Sequence, residues 1–194
     1  MSEMHETTDA ALPPSPEPLC ATWQQAHTLI NLRGQPTDSV FLQRVEQVLG
    51  TLLPLQPRTT VLAGDLRLVW VGPDDWFVLG PANQAELLLG RLGAALNTLN
   101  AAVTEVSDGY GVLRLSGPAA RDTLAQGCPL DLHPRVFNAG QAAGSQFFKA
   151  QIWLWRAHSN DGFELLVRRS FQGYVRLMLA RSTRACGLTW SEHT

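Results

Sequence analysis

The order of apolar runs and Gly-Pro breaks constrains this chain most, because it spells strand, helix, strand, strand, helix, strand twice. In the first pass, His27–Leu32 reads as a short strand on Leu29, Ile30 and Leu32. Thr37 or Asp38 then caps a helix with apolar positions Phe41, Val45, Val48, Leu49 and Leu52, which Pro54 and Pro57 stop. Leu66–Val71 and Trp76–Leu79 are strands around the turn signal Gly72-Pro73-Asp74-Asp75. Asn83, with Glu86 three residues on, opens a helix with the stripe Leu88, Leu92, Ala95, Leu96 and Leu99. Ala102–Val106 is the last strand of the pass.

The second pass starts in the densest segment, Val106–Pro134. Tyr110–Leu115 is a strand, and Gly117-Pro118 opens a helix with proline at the first helical position, where its missing N–H costs nothing. Cys128-Pro129-Leu130-Asp131-Leu132-His133-Pro134 is a Pro-bounded turn. Phe147–Arg156 and Phe163–Arg168 form a hairpin around Ser159-Asn160-Asp161-Gly162. Ser170 caps a helix carrying Phe171, Tyr174, Leu177, Met178 and Arg181, and Gly187–Trp190 is a closing strand. Asp75-Trp76-Phe77-Val78-Leu79 and Asp161-Gly162-Phe163-Glu164-Leu165 echo each other before the second helix of each pass. The expected fold class is α+β: two tandem ferredoxin-like (βαββαβ) halves packed as one domain. Residues 1–22, acidic and holding Pro13, Pro14, Pro16 and Pro18, are expected as a disordered or extended arm. Residues 23–194 form the domain, with halves about 23–107 and 108–194.

Charge and cysteine content narrow the function. A net charge of −2 carries no general attraction to nucleic acid. The charged fraction is 16%, below the usual quarter, so some apolar surface is left for a partner. Only Lys149 among 15 basic residues is a lysine, and arginine is favoured at interfaces, although a codon-biased genome gives the same composition. Cys20, Cys128 and Cys186 are three and widely spaced, so they make neither a disulfide framework nor a zinc site. With no apolar run near the ~20 residues of a membrane span and no signal-peptide pattern, a cytoplasmic location is expected.

Few residues offer chemistry. His27, His133 and His158 are the non-terminal histidines; Asp131 lies two residues before His133 and either orients it or makes a turn contact ahead of Pro134. Gly109, Gly111 and Gly117 do not have the spacing of a phosphate loop. Arg168 and Arg169, then Arg176, Arg181 and Arg184, run without an acid between 165 and 190. They make either a docking face for an acidic surface or a solvated helix face, with Arg176 and Arg184 roughly on one side. Trp153 and Trp155 share one strand face, and Trp70 and Trp76 flank a turn; most tryptophans are expected in the core.

Val106-Ser107-Asp108, Leu113 to Ala120, the Cys128–Pro134 segment and Asp161–Leu165 together resemble the T-protein superfamily of folate-binding aminomethyltransferases. They resemble still more the gamma-subunit family of heterotetrameric sarcosine oxidases. That resemblance implies alpha, beta and delta partner subunits, chiefly alpha, in a complex that oxidatively demethylates sarcosine to glycine. It implies FAD, FMN, NAD and tetrahydrofolate on the other subunits. On this chain it implies no catalytic, cofactor-binding or metal residue, no nucleic acid and no membrane. Arg121, Asp131, His133, Arg168, Arg169 and Arg176 are the expected interface residues. The T-protein segment Gly-Gly-x-x-Asp-Asp matches Thr60–Asp65, which keeps one acid, Asp65, while Glu164 keeps the acid of a later folate motif. These two carboxylates are either remnants of a folate site or solvated strand ends. The alternatives are a stand-alone folate-binding protein of the T-protein superfamily, or an assembly subunit of a related N-methyl amino acid oxidase.

Overall fold

The computed structural model describes residues 18–24, 27–157 and 162–191. The described elements run β1 (Leu19–Trp23), β2 (Thr28–Arg33), α1 (Ser39–Leu49), β3 (Thr60–Ala63), β4 (Leu66–Gly72), β5 (Asp75–Gly80), α2 (Ala85–Leu96) and β6 (Ala102–Glu105). They continue with β7 (Tyr110–Ser116), α3 (Ala120–Ala125), β8 (Ala142–Phe147), β9 (Ala150–Arg156), β10 (Phe163–Arg168), α4 (Gln172–Ser182) and β11 (Leu188–Trp190).

The first half forms a sheet in the order β3-β4-β5-β2-β6. Without β3 this is the strand order that a βαββαβ unit gives when both crossovers are right-handed. The second half repeats it as β8-β9-β10-β7-β11, with one insertion: β1 lies between β7 and β11, antiparallel to the first and parallel to the second. The arm expected over residues 1–22 is therefore corrected at its end. Leu19–Trp23 is an interior strand, with Leu19 and Ala21 fully buried. Residues 1–17 lie outside the described residues.

Strand parity sorts the side chains into layers. Ile30, Leu32, Leu68, Trp76 and Val78 point toward α1 and α2, where they meet Phe41, Val45, Leu88 and Leu92. Leu113, Leu115, Leu165 and Val167 point toward α3 and α4 and meet Leu124, Val175 and Leu179. The alternate residues, Leu29, Val69, Phe77, Val112, Trp155 and Leu166, form a third core between the sheets. Each buried Leu or Val contributes about 1.5–3 kcal/mol, so neither sheet is left with a bare face. The two edges also touch in a symmetrical way: Thr60 N donates to Gly140 O at 2.9 Å, and Ala142 N donates to Arg58 O at 3.0 Å.

Helix α1 begins as expected. The Asp38 carboxylate accepts from Val40 N and Phe41 N, and Gly50, at φ 74°, ends the helix. Other boundaries differ from expectation. Asn83 adopts φ 65°, and α2 starts at Ala85, with the Thr28 hydroxyl accepting from Gln84 N. The short α3 starts at Ala120, so Pro118 precedes it rather than opening it. The long strand expected over Phe147–Arg156 is β9 alone, paired with β8, which has no strong sequence signal. Arg169–Phe171 forms a 3-10 turn before α4, so Ser170 is not a side-chain cap. Arg184 falls beyond the end of α4 and does not share a helix face with Arg176.

Candidate functional site at the joint between the halves

The layer between the sheets carries one charged group from each half. Arg67 on β4 has the parity of Val69, and Glu164 on β10 has the parity of Leu166, so both face the joint. Arg67 Nη2 lies 3.7 Å from Glu164 Oε2, and the Trp155 indole donates to the same oxygen at 2.6 Å. The guanidinium carbon sits 5.4 Å from the Trp155 ring centroid. Burial lowers the pKa of Arg67, and the Glu164 carboxylate opposes that shift. Glu164 is thus neither a solvated strand end nor a free carboxylate: it ties the two sheets together.

That arrangement bears on the folate that the fold family implies. Asp65 lies exposed in the two-residue turn between β3 and β4, where Gly64 has φ 57°. Glu164 is already bonded inside the joint, and no contact brings the two carboxylates together. Asp65 and Glu164 therefore do not form the paired carboxylates of a folate site. Among the described residues there is also no cluster of three metal-ligating side chains.

The Cys128–Pro134 segment is a pinned loop. Asp131 Oδ1 accepts from the backbone N–H of His133 at 2.9 Å, and His133 Nδ1 accepts from Arg135 N at 3.3 Å. The acid and the imidazole each hold backbone, so the turn reading stands and no general-base pair forms. Arg121 Nε donates to Leu132 O at 3.1 Å, bracing the loop from α3, while Cys128, Leu132 and Phe137 anchor it in the core. Gly117, at φ 101°, serves packing: a Cβ there would meet Pro18 O at 3.0 Å, where the chain enters β1. Gly111 is overlain by the Gln172 amide, so these glycines cradle side chains and backbone.

The other expected interface residues do not share one surface role. The guanidinium carbon of Arg176 stacks 4.4 Å from the Trp190 ring centroid. Arg169 Nε donates to Asp108 O at 2.7 Å, across the start of β7. Arg168 reaches over Tyr110, 5.3 Å from its ring centroid. His27 lies beside Arg169, Trp23, Tyr110 and Gln172, and both its ring nitrogens are buried without a hydrogen-bond partner among the described residues. His158 lies outside the described residues.

Sequence reasoning missed the cleft beside Arg168. Phe77 and Tyr110 belong to different halves, and their rings meet edge to face at 5.6 Å; Trp153 meets Phe77 at 6.3 Å. The signal available was parity: Phe77 lies one residue from the inward Trp76 and so on the opposite face of β5.

Likeness to known proteins, in sequence and in structure, places this architecture. The profile of the "Sarcosine oxidase, gamma subunit family" matches residues 33–185. The chain belongs to that family. Its gamma-subunit relatives include one from Corynebacterium sp. (strain P-1), 35% identical over 147 residues, which are 74% of this chain and 70% of the relative. Another, from Arthrobacter sp., is 36% identical over 139 residues, 71% of this chain and 67% of the relative. Among solved structures, a chain of the heterotetrameric sarcosine oxidase from Corynebacterium sp. U-96, in complex with pyrrole 2-carboxylate, superposes with a TM-score of 0.79 and 26% identity. That match covers 85% of this chain and 83% of the other. The glycine cleavage system aminomethyltransferase T from Bartonella henselae shares the fold at a TM-score of 0.62 and 20% identity, over 91% of this chain and 48% of that one. The gamma-subunit family thus keeps a fold also found in an aminomethyltransferase, as the strand-to-helix element at Leu113–Ala120 implied.

Proposed function

We propose that this chain is the non-catalytic gamma subunit of a heterotetrameric sarcosine oxidase. In this reading it packs against alpha, beta and delta chains, chiefly alpha, and supports the complex that oxidatively demethylates sarcosine to glycine. FAD, FMN, NAD and tetrahydrofolate belong to the other chains, and the complex works in the cytoplasm. The observation that carries the reading is the likeness to a chain of a heterotetrameric sarcosine oxidase over most of both lengths, with a TM-score of 0.79. The use of Glu164 supports the non-catalytic part, since its carboxylate is bonded to Trp155 and faces Arg67.

Co-expression with the alpha, beta and delta chains, with a tag on this chain, tests the reading. The expected result is co-purification of all four and sarcosine-dependent hydrogen peroxide formation. This chain purified alone is expected to carry no flavin and to show no saturable tetrahydrofolate binding by calorimetry. Flavin and turnover in the isolated chain would refute the non-catalytic role; recovery without partners would refute the subunit role.

A further inference from the structure

The inner faces of the two sheets part where β7 begins and β10 ends. Two adjoining cavities of about 370 and 500 Å³ open there, and both are lined by Tyr110, Trp153 and Arg168. Trp153 forms the floor. Gly144 sits opposite it on β8, and any Cβ there would meet the indole at 3.0 Å, so the missing side chain leaves room for the ring to lie across the edge strand. Phe77 closes the cluster from the other sheet by edge contacts with Tyr110 and Trp153.

One cation stands in this cleft without a counter-charge. Arg168 is exposed and lies over Tyr110, and among the described residues it has no carboxylate partner. The acid on the opposite wall, Asp75, is already engaged: Asn31 Nδ2 donates to it at 2.5 Å, and Arg33 Nε lies 4.0 Å away. Polar groups are spread along the cleft, with Ser145 and Gln151 in one cavity and Asn31 in the other. That spacing suits the backbone of an extended chain better than a compact ligand, whose polar groups would converge. Trp, Tyr and Arg are also the residue types that concentrate binding energy at protein interfaces.

We propose that this cleft is a docking groove for an extended segment of a neighbouring subunit. The segment presents a carboxylate to Arg168 and an aromatic or aliphatic side chain to Trp153 and Tyr110. The proposal rests on the subunit reading and assigns its contact to this cleft instead of the arginines of α4.

Tagged variants co-expressed with the alpha, beta and delta chains test it. Arg168→Glu keeps the fold, because the side chain is exposed, and is expected to weaken recovery of the partner chains by roughly tenfold or more, as for a hot-spot residue. Tyr110→Ala is expected to act in the same direction. Arg181→Glu, on the outer face of α4, is expected to stay within about twofold of the unmodified chain, as for a residue outside an interface hot spot. Unchanged recovery with a folded Arg168→Glu chain, or a larger loss with Arg181→Glu, would overturn the groove. If the unmodified chain recovers no partner, the subunit reading falls, and the groove with it.

Discussion

Arg67 and Glu164 meet across the joint between the halves, Nη2 to Oε2 at 3.7 Å, and the Trp155 indole shares the carboxylate. The two charges come from different sheets, so the pair couples the halves in a way no local contact can. Glu164→Ala leaves Arg67, only 7% exposed, without its counter-charge. Breaking a fully buried pair costs about 3–5 kcal/mol. Glu164 keeps 23% of its side-chain exposure, which screens the pair and brings the expected loss to about 1–3 kcal/mol. Arg67→Met fills similar volume and leaves the Trp155 hydrogen bond in place, so it is expected to cost less. Urea unfolding of both variants and of the double variant measures the coupling. Equal losses for Glu164→Ala and Arg67→Met would show that the buried cation is not what makes the joint depend on this pair.

β1 is the strand on which the second sheet depends. Among the described residues β11 pairs only with β1, and β1 in turn pairs with β7. Leu19 is fully buried in the core beneath α3 and α4. Leu19→Ala is expected to cost about 2–4 kcal/mol, as for other buried leucines. The loss should be local as well as global: amides of Leu188–Trp190 are expected to exchange faster than those of β9 and β10 in hydrogen exchange measured by mass spectrometry. Uniform acceleration across the sheet would mean that β11 is held by something other than β1.

β1 also shows where the sequence was silent. Leu19-Cys20-Ala21-Thr22-Trp23 does alternate, with Leu19 and Ala21 inward. The acidic, proline-rich run before it dominates the composition and hides a five-residue strand whose pairing is entirely long-range. β8, Ala142-Ala143-Gly144-Ser145-Gln146-Phe147, lacks β-branched residues, and its pairing with β9 overrides its propensity. By contrast, the amphipathic helices and the βαββαβ order were legible, because periodicity and Gly-Pro breaks are local signals. The site was less legible. Arg168 could be named but not placed beside Tyr110, and Phe77 could not be assigned to a cleft that exists only when the sheets stack. Glu164 could be named as a motif acid, but its bond to Trp155 comes from the pairing of β9 with β10.

The Asp38 cap gives a direct test of the first half. Its carboxylate satisfies the N–H groups of Val40 and Phe41 at 2.9 and 3.3 Å, and Phe41 packs against Trp76. Asp38→Ala is expected to lose about 1 kcal/mol, and Asp38→Asn, which keeps an acceptor, much less. Thermal unfolding of the two variants measures the difference. A similar loss in both would point to the charge rather than the hydrogen bonds.

His27 sets a pH dependence whose sign follows from its surroundings. Burial is the main cause that lowers its pKa below 6.5; the neighbouring Arg169 lowers it further, and Asp108 opposes both. The unfolded chain takes up a proton as pH falls through about 6.5, while the folded chain resists until a lower pH. Between those two values the unfolded state binds more protons, so stability is fully present above 6.5 and is lost as pH falls toward the depressed folded value. His27→Phe keeps a ring in the pocket, removes the titrating group and also removes two buried nitrogens without hydrogen-bond partners. The stability of the variant relative to the unmodified chain is therefore expected to improve as pH drops from about 7.5 to 5.5. Carboxylates common to both proteins cancel in that difference. Urea unfolding at the two pH values tests it: if the difference does not change with pH, His27 titrates as it would in an unfolded chain. Arg169→Gln is expected to reduce the slope of the chain that retains His27 in part, because it removes a cation that adds to burial in keeping the imidazole neutral.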